Sequence, residues 1–523
     1  MIATEYLPSL YMPIDRWHGL ANGLSLPEYT TGTALIADIS GYTMLTETLI
    51  TTLGTRRGTE ALTQQINLIY TALITEVHRY HGSVIGFSGD AITCWFDGLN
   101  QPEDQAATRA ISCAQAMQRA MGQFSALTLP NCETIRMCVK TALATGPARR
   151  LQVGNPADQL LDVLAGATLQ RMARAEHAAN PGEIVVDMPT ALLLADRMFI
   201  QQWRLEGDPG EPSVLFAVID GLADPCPPIP WEIPPSLPPH LARPWLLSAL
   251  FDRLRAGLGD NVTELRSMVA VFLRFSGIDY DQNDAAGEQL NAYIHWVQSV
   301  LAEHTGILIN MTIGDKGSYL FAAFGQSASN EQNAIGAVRA AITLCRPPPR
   351  FQFMPPVQVG ISAGIMQIGS CGGELRRTYT ILGDGVNLAA RLMENALPGT
   401  ALANRNVQLL TRDEFDWKLL PSIQVKGKRQ AIRVASPYHR KNAGAKGHDP
   451  NGQRRTFRNR KPHSYNPYLT ATDPWDFTTH NSGKPRFRDT QKADVQPESR
   501  PAFFSAYHVA GRAELVNTIG PPP

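Results

Sequence analysis

Residues 34–43, ALIADISGYT, put a carboxylate at the end of a short apolar run and directly before a Ser-Gly turn. Ala34, Leu35, Ile36 and Ala37 read as a strand buried on both faces. Asp38 at the mouth of such a strand is costly to desolvate unless something pairs with it. Alone, it reads as a turn or helix-capping aspartate. A second acid in the same setting changes that reading, and FSGDAITCWF, residues 87–96, supplies it in Asp90. The glycine before Asp90 permits a tight turn, and the flanking apolar residues read as a hairpin. Adjacent strands of one sheet bring Asp38 and Asp90 to one edge, where they repel unless one keeps a proton or a cation sits between them. Mg²⁺ takes oxygen ligands and pairs one or two carboxylates with substrate phosphates. The backbone of Ser40, Gly41, Tyr42 and Thr43, entering a helix, offers N–H groups to phosphate oxygens. This combination suits nucleotide chemistry.

The rest of the chain gives that edge its context. With 523 residues, two to four domains are expected. The hydrophobic share of 44%, the charged share of 18% and the zero formal charge describe a globular protein with no bias toward nucleic acid. Neither a signal peptide nor a membrane span is expected. The seven scattered cysteines, without a CxxC pair, point to a reducing, cytoplasmic compartment.

Residues 30–222 alternate strand-like and helix-like segments: GTALIADIS, a helix over 59–81, the hairpin 83–96, a helix around 104–124, the strand IRMCVKTALATG, the helix GATLQRMARAEHA and the strand GEIVVD. Residues 223–263 open with so many prolines that neither helix nor central strand is expected there, and they read as a linker. From 264 to 440 the same order returns, through SMVAVFLRFSG, LNAYIHWVQSVLAEH, INMTIGDKGSYLFAAFG, NAIGAVRAAITLC, VQVGISAGIMQIG and GVNLAARLMENA. Two copies of one α+β unit fit this order better than a single large fold. Residues 1–29 form an N-terminal extension. The tail 441–523 has excess basic residues and no periodicity, and reads as disordered or linker.

Aligned against each other, the copies differ where chemistry is expected. FLRFSG aligns with IADISG, so Arg274 stands in the place of Asp38. The second hairpin places Ser318 where the first has Asp90. In TYTILGDGVNLAARLM, Asn387 and Arg391 are four apart and share one helix face, with Leu388, Leu392 and Met393 toward the core. The first copy has Gln170 and Arg174 there, keeping the arginine and not the asparagine. Losing both acids in one copy makes sense if one half holds metal and the other does something else.

The motifs ADISGYTMLTE, GFSGDAITCWF, IGDKGSYLFAAFG and YTILGDGVNLAARLM together resemble class III nucleotidyl cyclases, and in particular the tandem domains of the soluble, bicarbonate-responsive adenylyl type. The resemblance covers roughly residues 30–440. It implies two ferredoxin-like βαββαβ domains packed head to tail as an intramolecular pseudo-heterodimer, with one active site between them. It further implies that Asp38 and Asp90, with the Ile39 carbonyl, hold two Mg²⁺ or Mn²⁺ ions. Lys140 falls at the triphosphate-contacting position and Lys426 at a further phosphate contact, joining the N–H groups of Gly41, Tyr42 and Thr43 already read as suited to phosphate. Lys316 matches the adenine-reading lysine, with Thr380 and Ile381 beside it. Asn387 matches the ribose-orienting asparagine and Arg391 the arginine that stabilises the transition state. The match departs at the bicarbonate site, where Gly86 replaces a lysine and Ala173 an arginine, although Arg171 and Arg174 lie close.

The resemblance implies conversion of ATP to cyclic AMP and pyrophosphate, with ATP as the partner. The alternative is a non-catalytic nucleotide-sensing module. A guanylyl cyclase needs an acid where Lys316 stands. The closing VAGRAELVNTIG, 509–520, resembles the entry to an ATPase module, so the chain reads as a truncated member.

Overall fold

Alternating apolar residues build two matching sheets. The computed structural model describes residues 4–99, 101–128, 134–207, 213–257, 264–314, 317–325, 329–425 and 430–440. The first sheet comprises β1 (Tyr29–Ser40), β2 (Ser83–Ser88), β3 (Ala91–Asp97), β4 (Cys138–Val153), β5 (Leu161–Ala165), β6 (Ile184–Asp187), β7 (Met198–Glu206) and β8 (Val214–Leu222). Its order is β2-β3-β1-β4-β6-β8-β7, with β5 pairing the far end of β4. The second sheet repeats this with β9 (Glu264–Phe275), β10 (Gly306–Gly314), β11 (Gly317–Phe324), β12 (Gln358–Gly372), β13 (Arg377–Leu382), β14 (Thr400–Asn404), β15 (Phe415–Ile423) and β16 (Ile432–Arg440). Its order is β10-β11-β9-β12-β14-β16-β15, with β13 on β12. The connecting helices also correspond: α1 (Tyr42–Arg79), α2 (Glu103–Met121) and α3 (Ala167–Ala178) in the first domain, α4 (Ala286–Glu303), α5 (Asn330–Leu344) and α6 (Asp384–Asn395) in the second. This is the expected pair of α+β, ferredoxin-like domains.

Strand periodicity assigns the faces. Leu35, Ala37 and Ile39 of β1 join the core under α1 and α2, with Ile69, Leu73, Ala107 and Ile111. Ala34 and Ile36 turn to the other face, against Leu169 and Met172 of α3. Asp38 follows Ala34 and Ile36 onto that second face.

The helix entry expected at Ser40–Thr43 and the helix expected over 59–81 are one element, α1, which starts at Tyr42, buries Leu45 and Leu49, four apart, and continues past a break at Gly54 (φ 77°, ψ 165°). The Pro-rich stretch also differs from expectation. It contains a helical turn at Pro239–Ala242 and a helix at Ser248–Arg255. Proline costs nothing at a first helical position, where its missing N–H has no helical partner. Leu237, Trp245, Leu250 and Phe251 pack with Leu10, Met12 and Trp17 into an apolar cluster, so the connector and the N-terminal extension form one body.

Strands β4 and β12 run past their sheets as arms. Leu151, Val153, Val163 and Ala165 of the first arm lie in the second domain's core, and Cys371 of the second arm lies in the first domain's core. Matched asparagines fix the arms. Asn67 of α1 accepts the Gly372 N–H at 3.0 Å, and Asn291 of α4 accepts the Gly154 N–H at 2.9 Å.

Helix α6 lies hard against β12 at Gly360, where a Cβ would stand 2.0 Å from the Ala389 oxygen and 2.3 Å from the Met393 nitrogen. Gly360→Ala should therefore destabilise the chain by about 1–3 kcal/mol, the usual cost of overpacking. Urea unfolding should show the midpoint falling with the slope unchanged.

Candidate active site

The register of the first sheet builds the acidic edge. Asp38 lies opposite Ala91 of β3 on one side and Lys140 of β4 on the other. The Ile39 N–H donates to the Asp90 carbonyl at 3.3 Å, so the β2–β3 turn closes over the end of β1. Gly89 supplies the turn's positive φ of 66°, and the Tyr70 hydroxyl of α1 donates to its carbonyl at 2.9 Å. Lys140 Nζ lies 3.3 Å from Asp38 Oδ2 and also pairs with the Glu176 carboxylate of α3. Burial pushes the Lys140 ammonium down, but Glu176 and Asp38 outweigh it and hold it above its usual value.

At Asp90 burial acts first and repulsion from Asp38 second, and together they push the carboxyl up to about 7. Two half-buried carboxylates, one already neighboured by an ammonium, form a donor set of hard oxygens with excess negative charge, which fits a divalent cation. Among the described residues no group of three or more His, Cys, Asp and Glu converges, so phosphate oxygens would have to complete such a shell. Directly after Asp38, Gly41 caps α1 in a left-handed conformation (φ 98°), and the N–H groups of Tyr42 and Thr43 open the helix beside the acids.

The second domain keeps the geometry and changes the chemistry. Arg274 lies opposite Tyr319 and Gln358 in the register that Asp38 has with Ala91 and Lys140. Arg274 donates to the Gln358 side-chain oxygen, a neutral-acceptor bond where the first domain has an ion pair. Ser318 stands in the place of Asp90, buried, with the Tyr280 hydroxyl 3.4 Å away. After Gly277 the next helix begins only at Ala286, so nothing equivalent to the start of α1 faces this edge.

The remaining predicted residues sit on the second domain. Thr380 and the buried Ile381 pair with Gly369 and Ile368 across β12–β13. Gly383 then caps α6, which exposes Asn387 and half-buries Arg391, while Leu388, Leu392 and Met393 face the core as expected. Arg391 rests on Glu394, both contacts at 3.0 Å, a surface pair worth little. Lys316 and Lys426 lie outside the described residues. Leu382, next to Ile381, packs on the first domain's core, so the strand leading to α6 is seated against α1. Nearby, a cleft of about 340 Å³ opens between Arg56, Thr59 and Glu60 of α1 and Glu264, Leu265 and Gln367 of the second domain.

Several residues escaped the sequence reading. Glu176 holds Lys140, and its only sequence signal is its place two residues after Arg174. At the departure from the bicarbonate pattern, a Cβ on Gly86 would meet nothing within 4 Å. Arg171 is committed to Asp187 at 2.7 Å and to the Thr145 carbonyl at 2.8 Å, a structural role.

Two α+β domains of one topology with a single acidic edge are the arrangement that the resemblance to class III nucleotidyl cyclases implies. Residues 267–435 match the family described as adenylate and guanylate cyclase catalytic domain. The chain resembles adenylate cyclase type 10 of Rattus norvegicus, 24% identical over 391 residues, which cover 69% of this chain and 24% of that protein. The human protein of the same name is 24% identical over 393 residues, 70% of this chain. The chain thus spans about a quarter of the length of these relatives. Among solved structures, a class III adenylyl cyclase-like ATP-binding protein from Pseudomonas aeruginosa shares the fold over 73% of this chain and 85% of its own, with TM-score 0.50 and 11% identity. No helix among the described residues is long and apolar enough to cross a membrane.

Because the metal-free Asp90 carboxyl is raised, its contribution to stability is full below the ordinary carboxylate range and is lost as pH rises through about 7. In chelator-treated protein, the thermal midpoint of wild type relative to Asp90→Asn should fall from about pH 4 to about pH 7 and level off above it. Millimolar Mg²⁺ should remove that fall. A pH-independent difference would show that Asp90 does not share its edge with a second charge.

Proposed function

We propose that the chain is an adenylate cyclase, converting ATP to 3′,5′-cyclic AMP and pyrophosphate at one site between its two domains, in the cytoplasm. The observation that carries this is the paired divergence at equivalent register positions. Asp38 and Asp90 occur only in the half that also has a helix start beside them, and the asparagine on the facing-type helix occurs only in the other half. An intramolecular pair with one productive site follows.

Asp38, Asp90 and the Ile39 carbonyl would hold two Mg²⁺ or Mn²⁺ ions, which lower the pKa of the ribose 3′-hydroxyl and neutralise the phosphates. The N–H groups of Gly41, Tyr42 and Thr43 bind the triphosphate, and Lys140 and Lys426 add positive charge there. Asn387 orients the ribose so that its 3′-oxygen is in line with the α-phosphate. Arg391 exchanges Glu394 for the charge that develops on the α-phosphate and bridging oxygen. That electrostatic role is worth about 3–4 kcal/mol in comparable sites, so Arg391→Ala should lower kcat by roughly two to three orders of magnitude. Lys316 only donates and Thr380 accepts through its hydroxyl, with Ile381 against the base, which matches the ring nitrogen and exocyclic amine of adenine.

A second reading is an ATP-binding module without turnover. Two observations favour it: Lys140 is tied to Asp38 and Glu176, and Arg391 to Glu394. The solved neighbour of similar fold is itself described as cyclase-like and ATP-binding. Incubating purified protein with Mn²⁺ and ATP and measuring cyclic AMP separates the two. ATP binding without product supports the module.

A mismatched base leaves buried polar groups unpaired at roughly 1–3 kcal/mol each, so ATP should be preferred over GTP by at least about tenfold in kcat/KM. Lys316→Glu with Thr380→Cys should erode that preference. Equal use of ATP and GTP by wild type would remove Lys316 and Thr380 from the base pocket.

A further inference from the structure

Strand β2 is the free edge of the first sheet, and it carries the hairpin that presents Asp90. An edge strand leaves a row of carbonyls without strand partners. Its ladder with β3 slips between Val84 and Gly86, which makes Ile85 the extra residue of a β-bulge. Bulges beside sites re-aim the residues that follow them, and here Asp90 follows five positions later.

One side chain from the other domain grips this bulge. Arg376, at the tip of the second-domain arm, donates from Nε to the Val84 carbonyl at 3.2 Å and from Nη2 to the Ile85 carbonyl at 3.5 Å. Its Nη1 donates to the Leu10 carbonyl at 3.4 Å, and its guanidinium lies 5.4 Å from the Phe87 ring centre. Asn310 of β10 donates to the carbonyl of Phe87, two residues further along, at 3.2 Å. Arg376 is 6% exposed, and burial pushes its guanidinium down to about 10, with Asp162 and Asp15 opposing. Burying a cation mostly against carbonyls is costly, so the contact has to return something.

The second domain supplies an internal control. Its own edge strand β10 has the same slip, between Leu308 and Asn310. Matching the two arms through the pairs Arg149–Ala165 and Gln367–Leu382 puts Gln159 at the position of Arg376. A bulged edge therefore forms without an arginine. The arm that reaches the Asp90 hairpin ends in arginine, and the arm that reaches the Ser318 hairpin ends in glutamine. We propose that Arg376 is a positioning residue: by holding the bulged edge of β2 it sets where Asp90 stands relative to Asp38, and it couples the seating of the second domain to cation binding on the first. This rests on the reading of Asp38 and Asp90 as divalent-cation ligands.

The test uses the full chain with Mn²⁺ as the probe, followed by electron paramagnetic resonance and by hydrogen exchange. Binding by wild type that Asp38→Asn abolishes establishes the underlying reading; no binding by wild type overturns that reading and the proposal with it. Once binding is established, Arg376→Gln, the side chain of the matched position, should keep the thermal midpoint within a few degrees. It should weaken Mn²⁺ binding by about tenfold or more, as loss of an outer partner of a ligand does, and speed exchange across 84–90. Arg376→Lys should recover part of both, and in turnover the Mn²⁺ requirement should rise while KM for nucleotide holds. Unchanged Mn²⁺ affinity with unchanged exchange in Arg376→Gln overturns the proposal. Should that variant fail to fold, wild type decides, because coupling is reciprocal: Mn²⁺ must slow exchange across 372–377. An arm indifferent to Mn²⁺ overturns it as well.

Discussion

Each domain completes its core with a strand pair from the other. The arm of β12 and β13 carries Cys371 into the first core, and the arm of β4 and β5 carries Leu151, Val153, Val163 and Ala165 into the second. These arms are continuations of the central strands, so burying their tips fixes the whole strand behind them. Strand β13 leads through Gly383 straight into α6, and hence to Asn387 and Arg391. The seating of one arm thus determines where the second domain's polar face stands, and close packing lets such a constraint transmit with little slack. The matched asparagines, Asn67 and Asn291, satisfy arm N–H groups that burial would otherwise leave unpaired, at roughly 1–3 kcal/mol each.

Within that shared frame the two edges have settled their charges in opposite ways. At one register position Asp38 meets Lys140, and at the other Arg274 meets Gln358. The second edge is relaxed: a hydrogen-bonded arginine, a buried serine and no helix start. The first edge keeps a carboxyl whose pKa has moved to about 7, the direct sign that its charged form is disfavoured where it sits. The second domain demonstrates that the fold does not need the acids. A group held in an unfavourable electrostatic setting that the fold can dispense with is a candidate for chemistry.

The strands, the repeat and the acidic edge were legible because their signals are local. Apolar alternation, a glycine turn and a four-residue spacing act within one element. The register that makes Arg274 and Ser318 equivalent to Asp38 and Asp90 shows in the sequence because both copies preserve the same Ser-Gly turn. What was illegible depends on partners distant in sequence. Glu176 holds Lys140 only because α3 crosses β4, and Arg376 reaches Val84 from nearly three hundred residues away, a separation that no periodicity records. The stretch that joins the helix entry at Ser40–Thr43 to the helix over 59–81 was illegible for a local reason: Gly54 and Gly58 break the pattern that Leu45 and Leu49 begin.

The prolines misled most. Composition marked 223–263 as a spacer, yet this connector buries Trp245 and Phe251 against Leu10 and Met12, and the same N-terminal body continues into a buried ion network. Arg150 of the first arm contacts Asp15 at 2.7 Å and Asp162 at 2.5 Å, and Arg16 reaches Asp162 at 2.9 Å. Burial alone would raise Asp162, but Arg150 and Arg16 outweigh it and hold it at about 2. A buried ion cluster adds little net stability compared with well-packed apolar groups, but removing one member is severe, because it strands the others. Such a cluster therefore acts through specificity of arrangement. Asp15 also accepts from Ser83 at 2.7 Å, and Leu10 accepts from Arg376, which holds Val84 and Ile85, so the extension meets the start of the bulged strand that leads to Asp90 both directly and through Arg376. The segment that reads as a preface to the first domain is, in its contacts, the piece that ties the edge of that domain to the arm of the second.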